Sequence, residues 1–181
     1  MRARSPCLCC VPEFHVFPRK GLLLAVPLLA SLLSGCGTLS PFAHLSSRDC
    51  LARAMYFESN RSSDEGMLAV GTVVMNRVAD KAYPKTVCGV VGQKNQFAPG
   101  VLVKPMKEKA SKERAYRVAD RVLSGARHTT LSREVKHFHT AGYSFPYDNM
   151  YYVLEAGGNS FYEKRKAGTF TNNPFSMLAY W

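Results

Sequence analysis

The stretch Leu51-Ala52-Arg53-Ala54-Met55-Tyr56-Phe57-Glu58 has the pattern of a short amphipathic helix that ends in a carboxylate. Leu51, Ala54 and Met55 fall at i, i+3 and i+4, the spacing of one buried helical face, and Glu58 extends that face by a further turn. The polar run Ser59-Asn60-Arg61-Ser62-Ser63 then ends the pattern. A carboxylate on the core-facing side of a helix end needs a reason to be there, and a cleft at that end supplies one. Asp49, just ahead of Cys50, is the expected N-cap.

Working outward, Ser62-Ser63-Asp64-Glu65 reads as a capping box, with Ser62 as cap and Glu65 three residues on. It opens a second helix in which Met67, Val70, Val74, Met75 and Val78 keep a 3.6-residue period, with Asn76 and Arg77 on the polar side. Gly71 lets a neighbour pack closely. Tyr83-Pro84 breaks the pattern, and for Thr86 to Val91 periodicity alone does not decide between strand and helical turn. Residues 93–103, with Gly, Asn and Pro, read as a loop that holds Gln96-Phe97.

A further helix is expected over about 105–124, with Ala110, Ala115, Val118, Ala119 and Val122 inside and Gly125 as its stop. From Glu134 the period becomes two: Val135, His137 and His139 share one face, Lys136 and Phe138 the other. Met150 to Leu154 and Phe161-Tyr162 flank Gly157-Gly158-Asn159, a hairpin signal. Helices first and a small antiparallel β region near the C-terminus make an α+β domain.

The chain has 181 residues, room for one ordinary domain and a leader. Arg2, Arg4, Arg19 and Lys20 precede an uncharged apolar run, Gly21 to Ser34, the layout of a secretory signal. The run closes on Leu33-Ser34-Gly35-Cys36, which resembles the lipobox of bacterial lipoproteins. That resemblance implies cleavage before Cys36, acylation of its thiol and, with Gly37 next, sorting to the periplasmic face of the outer membrane. The expected organisation is a signal over 1–35, a tether over 36–48, the working domain over 49–163 and a tail over 164–181.

Without residues 1–36 the basic count is 20 (24 minus 4) and the acidic count 12 (13 minus 1), a net charge of +8. The excess belongs to the mature domain and favours an anionic polymer as partner. Lys104, Lys107, Lys109 and Lys112 cluster along one helix and its approach, but no aromatic-interleaved basic patch or nucleic-acid fold motif is present, so nucleic acid is not expected. Of six cysteines, only Cys50 and Cys88 remain beyond Cys36. In an oxidising compartment such a pair forms a disulfide more readily than a metal site, because two thiols are too few ligands.

The groups able to do chemistry are Glu58, Asp64, Glu65, His128, His137 and His139. Glu65 and Asp64 are accounted for by the start of the second helix. Glu58 meets the unfavourable pole of its own helix beside Tyr56 and Phe57, which raises its pKa as a general acid for glycosidic cleavage requires. Tyr56, Tyr143, Tyr147 and Tyr151 are the tyrosines able to stack on sugars. No cofactor is expected.

The motifs Ala52-Arg53-Ala54-Met55-Tyr56-Phe57-Glu58, Glu65-Gly66-Met67-Leu68-Ala69-Val70 and Val73-Val74-Met75-Asn76-Arg77-Val78 resemble the signature of SleB-type cell-wall hydrolases. Tyr83-Pro84, Cys88-Gly89-Val90-Val91, Gln96-Phe97, His137-Phe138-His139 and Gly158-Asn159-Ser160-Phe161-Tyr162 continue it. The resemblance implies a lysozyme-like α+β domain acting on peptidoglycan, with Glu58 as catalytic acid. It also implies similarity to lytic transglycosylases, which break the MurNAc–GlcNAc bond and leave a 1,6-anhydro end. Tyr56, Gln96, Phe97, His137, His139, Ser160 and Tyr162 are the implied substrate contacts.

The chain departs from that pattern where Ser59-Asn60-Arg61-Ser62 replaces Ala-Arg-Gly-Glu and where Ser160 replaces His. Two rival readings remain open. His137 and His139 on one strand face, with His128 and a carboxylate, suit a zinc-dependent amidase; a wall-binding lipoprotein without catalysis is the other. Asp148 and Glu155 are available as a second carboxylate.

Overall fold

The computed structural model describes residues 44–59 and 63–168. The leader, Cys36, most of the tether, Ser62 and the tail beyond residue 168 lie outside the described residues.

The first helix, α1 (Ser47–Glu58), starts earlier than Asp49 would have it. Ser46 is the N-cap: its Oγ accepts from the Asp49 N–H at 3.0 Å, and the Asp49 carboxylate accepts from the Ser46 N–H at 3.2 Å. Asp49 is thus the reciprocal partner of a capping box, three residues inside the helix. Cys50, Leu51, Ala52, Ala54, Met55 and Tyr56 are all buried, so α1 has neighbours on almost every side. It packs against α2 (Asp64–Ala79), α3 (Val87–Val91) and α4 (Lys109–Leu123). Thr86 to Val91 thereby resolves as a helical turn capped by the Thr86 side chain.

Helix α2 is capped by Ser63, whose Oγ accepts from the Gly66 N–H at 3.0 Å. The cap therefore lies one residue beyond the expected Ser62, and Glu65 is an exposed first-turn acid. Gly71 is where Met55 and Val122 press on α2, and a Cβ there would have to push the Met55 methyl aside. Helix α4 begins four residues later than its periodicity suggests, and Ala110 is exposed, while Ala115, Val118, Ala119 and Val122 are buried as expected. Cys50 and Cys88 form the disulfide, which joins α1 to α3.

Strands β1 (His137–Thr140), β2 (Met150–Ala156) and β3 (Asn159–Lys164) form an antiparallel sheet in the order β1-β3-β2. Gly157 and Gly158, both at positive φ, make the two-residue turn between β2 and β3. That turn lies on the first turn of α2: a Cβ on Gly66 would sit 2.4 Å from the Gly157 Cα. Glycine at both positions lets hairpin and helix touch backbone to backbone. Gly66→Ala is expected to cost about 1–3 kcal/mol through overpacking and to displace the hairpin. A lower melting temperature measures it; an unchanged one overturns the contact.

Candidate active site

Glu58 is the last residue of α1, half-buried, and its carboxylate faces a cleft of about 260 Å3. Three segments converge there. The loop after α3 brings Asn95, Gln96 and Phe97, the start of β3 brings Asn159, and β1 brings Phe138, His139 and Thr140. Asn95 adopts φ 59°, a left-handed conformation that Asn tolerates better than most residues, and so turns the loop toward the acid. The Ala98 N–H then donates to Glu58 Oε1 at 2.5 Å, and Asn159 Nδ2 donates to the Glu58 carbonyl at 2.5 Å. Acid and helix end are each held by one hydrogen bond.

Burial pushes the Glu58 carboxyl above the usual carboxylate range, with the Ala98 N–H and the charge of Arg77 pulling part of the way back. No basic residue occupies the last turn of α1, so the negative pole of the helix is not offset there. Arg77 was expected on a polar helix face and is instead 3% exposed. Its Nε donates to the Lys136 carbonyl at 2.8 Å, and its guanidinium lies over the rings of Phe97 and Tyr83. Asn76 is likewise buried, donating to the carbonyls of Ser132 and Val135. The irregular backbone before β1 needs donors, and these two side chains supply them.

The other residues singled out from the sequence separate into two groups. Gln96, Phe97 and His139 line the Glu58 cleft, and Tyr162 meets His139 in a neighbouring hollow. Tyr56 does not reach the cleft: it is buried in the core, and its hydroxyl accepts from the Glu108 N–H at 3.1 Å. Ser160 is also buried and donates to Glu155 at 2.8 Å. His137 stacks on Tyr162 at 5.4 Å, and burial pushes its imidazole down to about 4, so it stays neutral.

His139 Nδ1 donates to the Thr140 carbonyl and its Nε2 accepts from the Tyr152 hydroxyl, each at 2.8 Å. Both ring nitrogens are therefore engaged. His128 lies along α2, its N–H donating to Thr72 Oγ1 at 2.9 Å and its Nε2 3.5 Å from the Glu65 carboxylate. Among the described residues no three His, Cys, Asp or Glu side chains are arranged to hold a metal ion. Asn95 and Asn159 line the cleft, while the Ala98 N–H and the buried charge of Arg77 act on Glu58 from behind it; none of the four has a residue type that marks it as a site residue. Asn159, inside the Gly158-Asn159 motif, and Arg77, inside the Asn76-Arg77 motif, carried a sequence signal; Asn95 and Ala98 did not.

A family model described as cell wall hydrolase matches residues 61–162, more than half of the chain. The chain belongs to the cell wall hydrolase family. It is an enzyme of that family, and the match begins three residues after Glu58. The catalytic domain of the germination-specific lytic transglycosylase SleB from Bacillus anthracis is similar at 19% identity and a TM-score of 0.50, over 70% of this chain and 98% of that one. The catalytic domain of SleB from Bacillus cereus gives 20% and 0.47, over 65% and 91%. The hydrolase thus shares the lysozyme-like fold of the first. No curated protein matches the chain.

Proposed function

We propose that this cell wall hydrolase is a lytic transglycosylase that cleaves the MurNAc–GlcNAc bond of peptidoglycan with Glu58 as acid and then base. The observation that carries the reading is a single half-buried carboxyl, raised by burial, at the cleft where three segments meet. Protonated Glu58 gives its proton to the glycosidic oxygen as the C1–O bond breaks. The resulting carboxylate takes the proton of the sugar's own 6-hydroxyl while that oxygen bonds to C1. The 1,6-anhydro ring closes, the leaving sugar departs with its hydroxyl, and Glu58 is protonated again. No water is consumed.

A hydrolytic glycosidase places a second carboxylate across the scissile bond. Here Glu58 is the one carboxylate lining the cleft among the described residues. Glu155 accepts from Ser160 and Asp148 from the Gly168 N–H, which gives both acids other tasks. Mass spectrometry of digested sacculi tests the reading. Anhydro-muropeptides are the expected products; reducing-end muropeptides, or free stem peptides lost on adding a chelator, would overturn it.

We further propose that the protein works from a lipid anchor at Cys36 on the periplasmic face of the outer membrane. The basic run before Gly21 to Ser34 and the Leu33-Ser34-Gly35-Cys36 sequence support this. Cys36→Ala is expected to release the protein from the membrane fraction, and an unchanged fraction would count against the anchor.

A further inference from the structure

A second hollow of about 400 Å3 adjoins the Glu58 cleft, and His139 lines both. Its wall is aromatic. Phe145 and Tyr147, on the connection between β1 and β2, lie nearly parallel with ring centres 6.2 Å apart and planes 12° from one another. His139 sets its ring edge-on to Phe145 at 4.7 Å, and Tyr162 lines the hollow beside them. Phe145 is 41% and Tyr147 61% exposed, a large open aromatic face for a small domain. The histidine cannot easily turn away, because both of its nitrogens are tied to Thr140 and Tyr152.

Exposed, pre-positioned rings suit the C–H face of a pyranose, which is apolar while its rim is polar. Asn149 supplies polar atoms at the edge. Lys164 is the one charged residue of the lining. Its neighbours on either side, Glu163 and Arg165, pair with each other at 2.7 Å, and no carboxylate among the described residues pairs with Lys164.

Resting on the glycan-cleaving reading above, we propose that this hollow is a saccharide subsite for a wall sugar with an anionic substituent. Phe145 and Tyr147 take the ring face, and Lys164 takes a carboxylate. A muramoyl residue offers that carboxylate in two forms: the lactyl group of a peptide-free strand, or the stem peptide of an intact one. A sugar without the lactyl ether offers neither.

The test is a binding titration of the full-length protein, made inert by Glu58→Gln, with three probes: a chito-oligosaccharide, a peptide-free muramoyl glycan and a peptide-bearing one. Tyr147→Ala is expected to weaken all three by about three- to tenfold, the scale of one aromatic contact. Lys164→Met is expected to weaken only muramoyl ligands, by about fivefold, with the effect screened by salt. Which muramoyl ligand suffers identifies the carboxylate. Equal loss for the chito-oligosaccharide, or no loss with any probe, overturns the assignment of Lys164. Unchanged binding in Tyr147→Ala overturns the subsite while leaving the proposed function intact. Failure of every glycan to bind, with no release of muropeptides by the Glu58 enzyme, would instead bring down the function itself.

Discussion

Glu58→Gln is expected to lower muropeptide release from purified sacculi by at least about a hundredfold, the lower end of what a positioned general acid contributes. The substitution keeps the shape of the side chain and an oxygen able to accept from the Ala98 N–H. In the proposed mechanism it removes the one proton that the leaving oxygen requires. Retained activity would show that Glu58 is not the acid. The reason the acid holds its proton is its burial, so the rate should fall as pH rises through its raised pKa.

The same shift fixes a stability test with the opposite outcome. A carboxyl whose folded-state pKa lies above its unfolded value adds stability that is fully present below the unfolded value. That stability is lost as pH rises through the folded value. Above the unfolded value the parent must therefore either bury a charge or take up a proton on folding, and Gln does neither. Glu58→Gln should melt at the same temperature as the parent or higher at pH 7, with the difference shrinking toward pH 4. A marked loss of stability at pH 7 would mean that the carboxylate is structural.

Breaking the Cys50–Cys88 disulfide is the second large effect. It closes a loop of 38 residues, and removing such a closure costs about 3–4 kcal/mol, chiefly by freeing the unfolded chain. Helix α3 has five residues, too few to be stable alone. Its attachment to α1 also fixes the start of the loop that carries Phe97 and Ala98 to Glu58. Double replacement by Ala should lower the melting temperature by roughly ten degrees. It should also reduce activity below the melting transition, because the loop loses one of its supports. Melting that is the same with and without reductant would overturn both expectations.

Much of the fold was legible because its elements carry local signals. The periods of α1, α2 and α4, the Gly157-Gly158 turn and the Cys50–Cys88 pairing each follow from residues near in sequence or few in number. Helix starts were less legible. Ser46, Asp49, Ser62 and Ser63 are all good caps by residue type, and choosing among them depends on where the chain turns. Of the cleft, the position of Glu58 could be read, since a carboxylate at the end of a buried helix conflicts with local physics unless a cleft lies there.

The sequence by itself determined the α+β order of elements, the catalytic candidate and the pair of cysteines that ties α1 to α3. Only the tertiary structure decided which neighbours Glu58 meets. Tyr56 and Ser160 are buried in the protein, whereas Asn95 lines the cleft and Ala98 and Asn159 bond to Glu58 and its helix end. Periodicity specifies which face of an element is buried, but not which distant element covers that face. Arg77 lost its polar face to the backbone before β1, and Gly66 meets Gly157 across 91 positions (157 minus 66). Such contacts depend on close packing between segments far apart in the chain, and no local pattern encodes them.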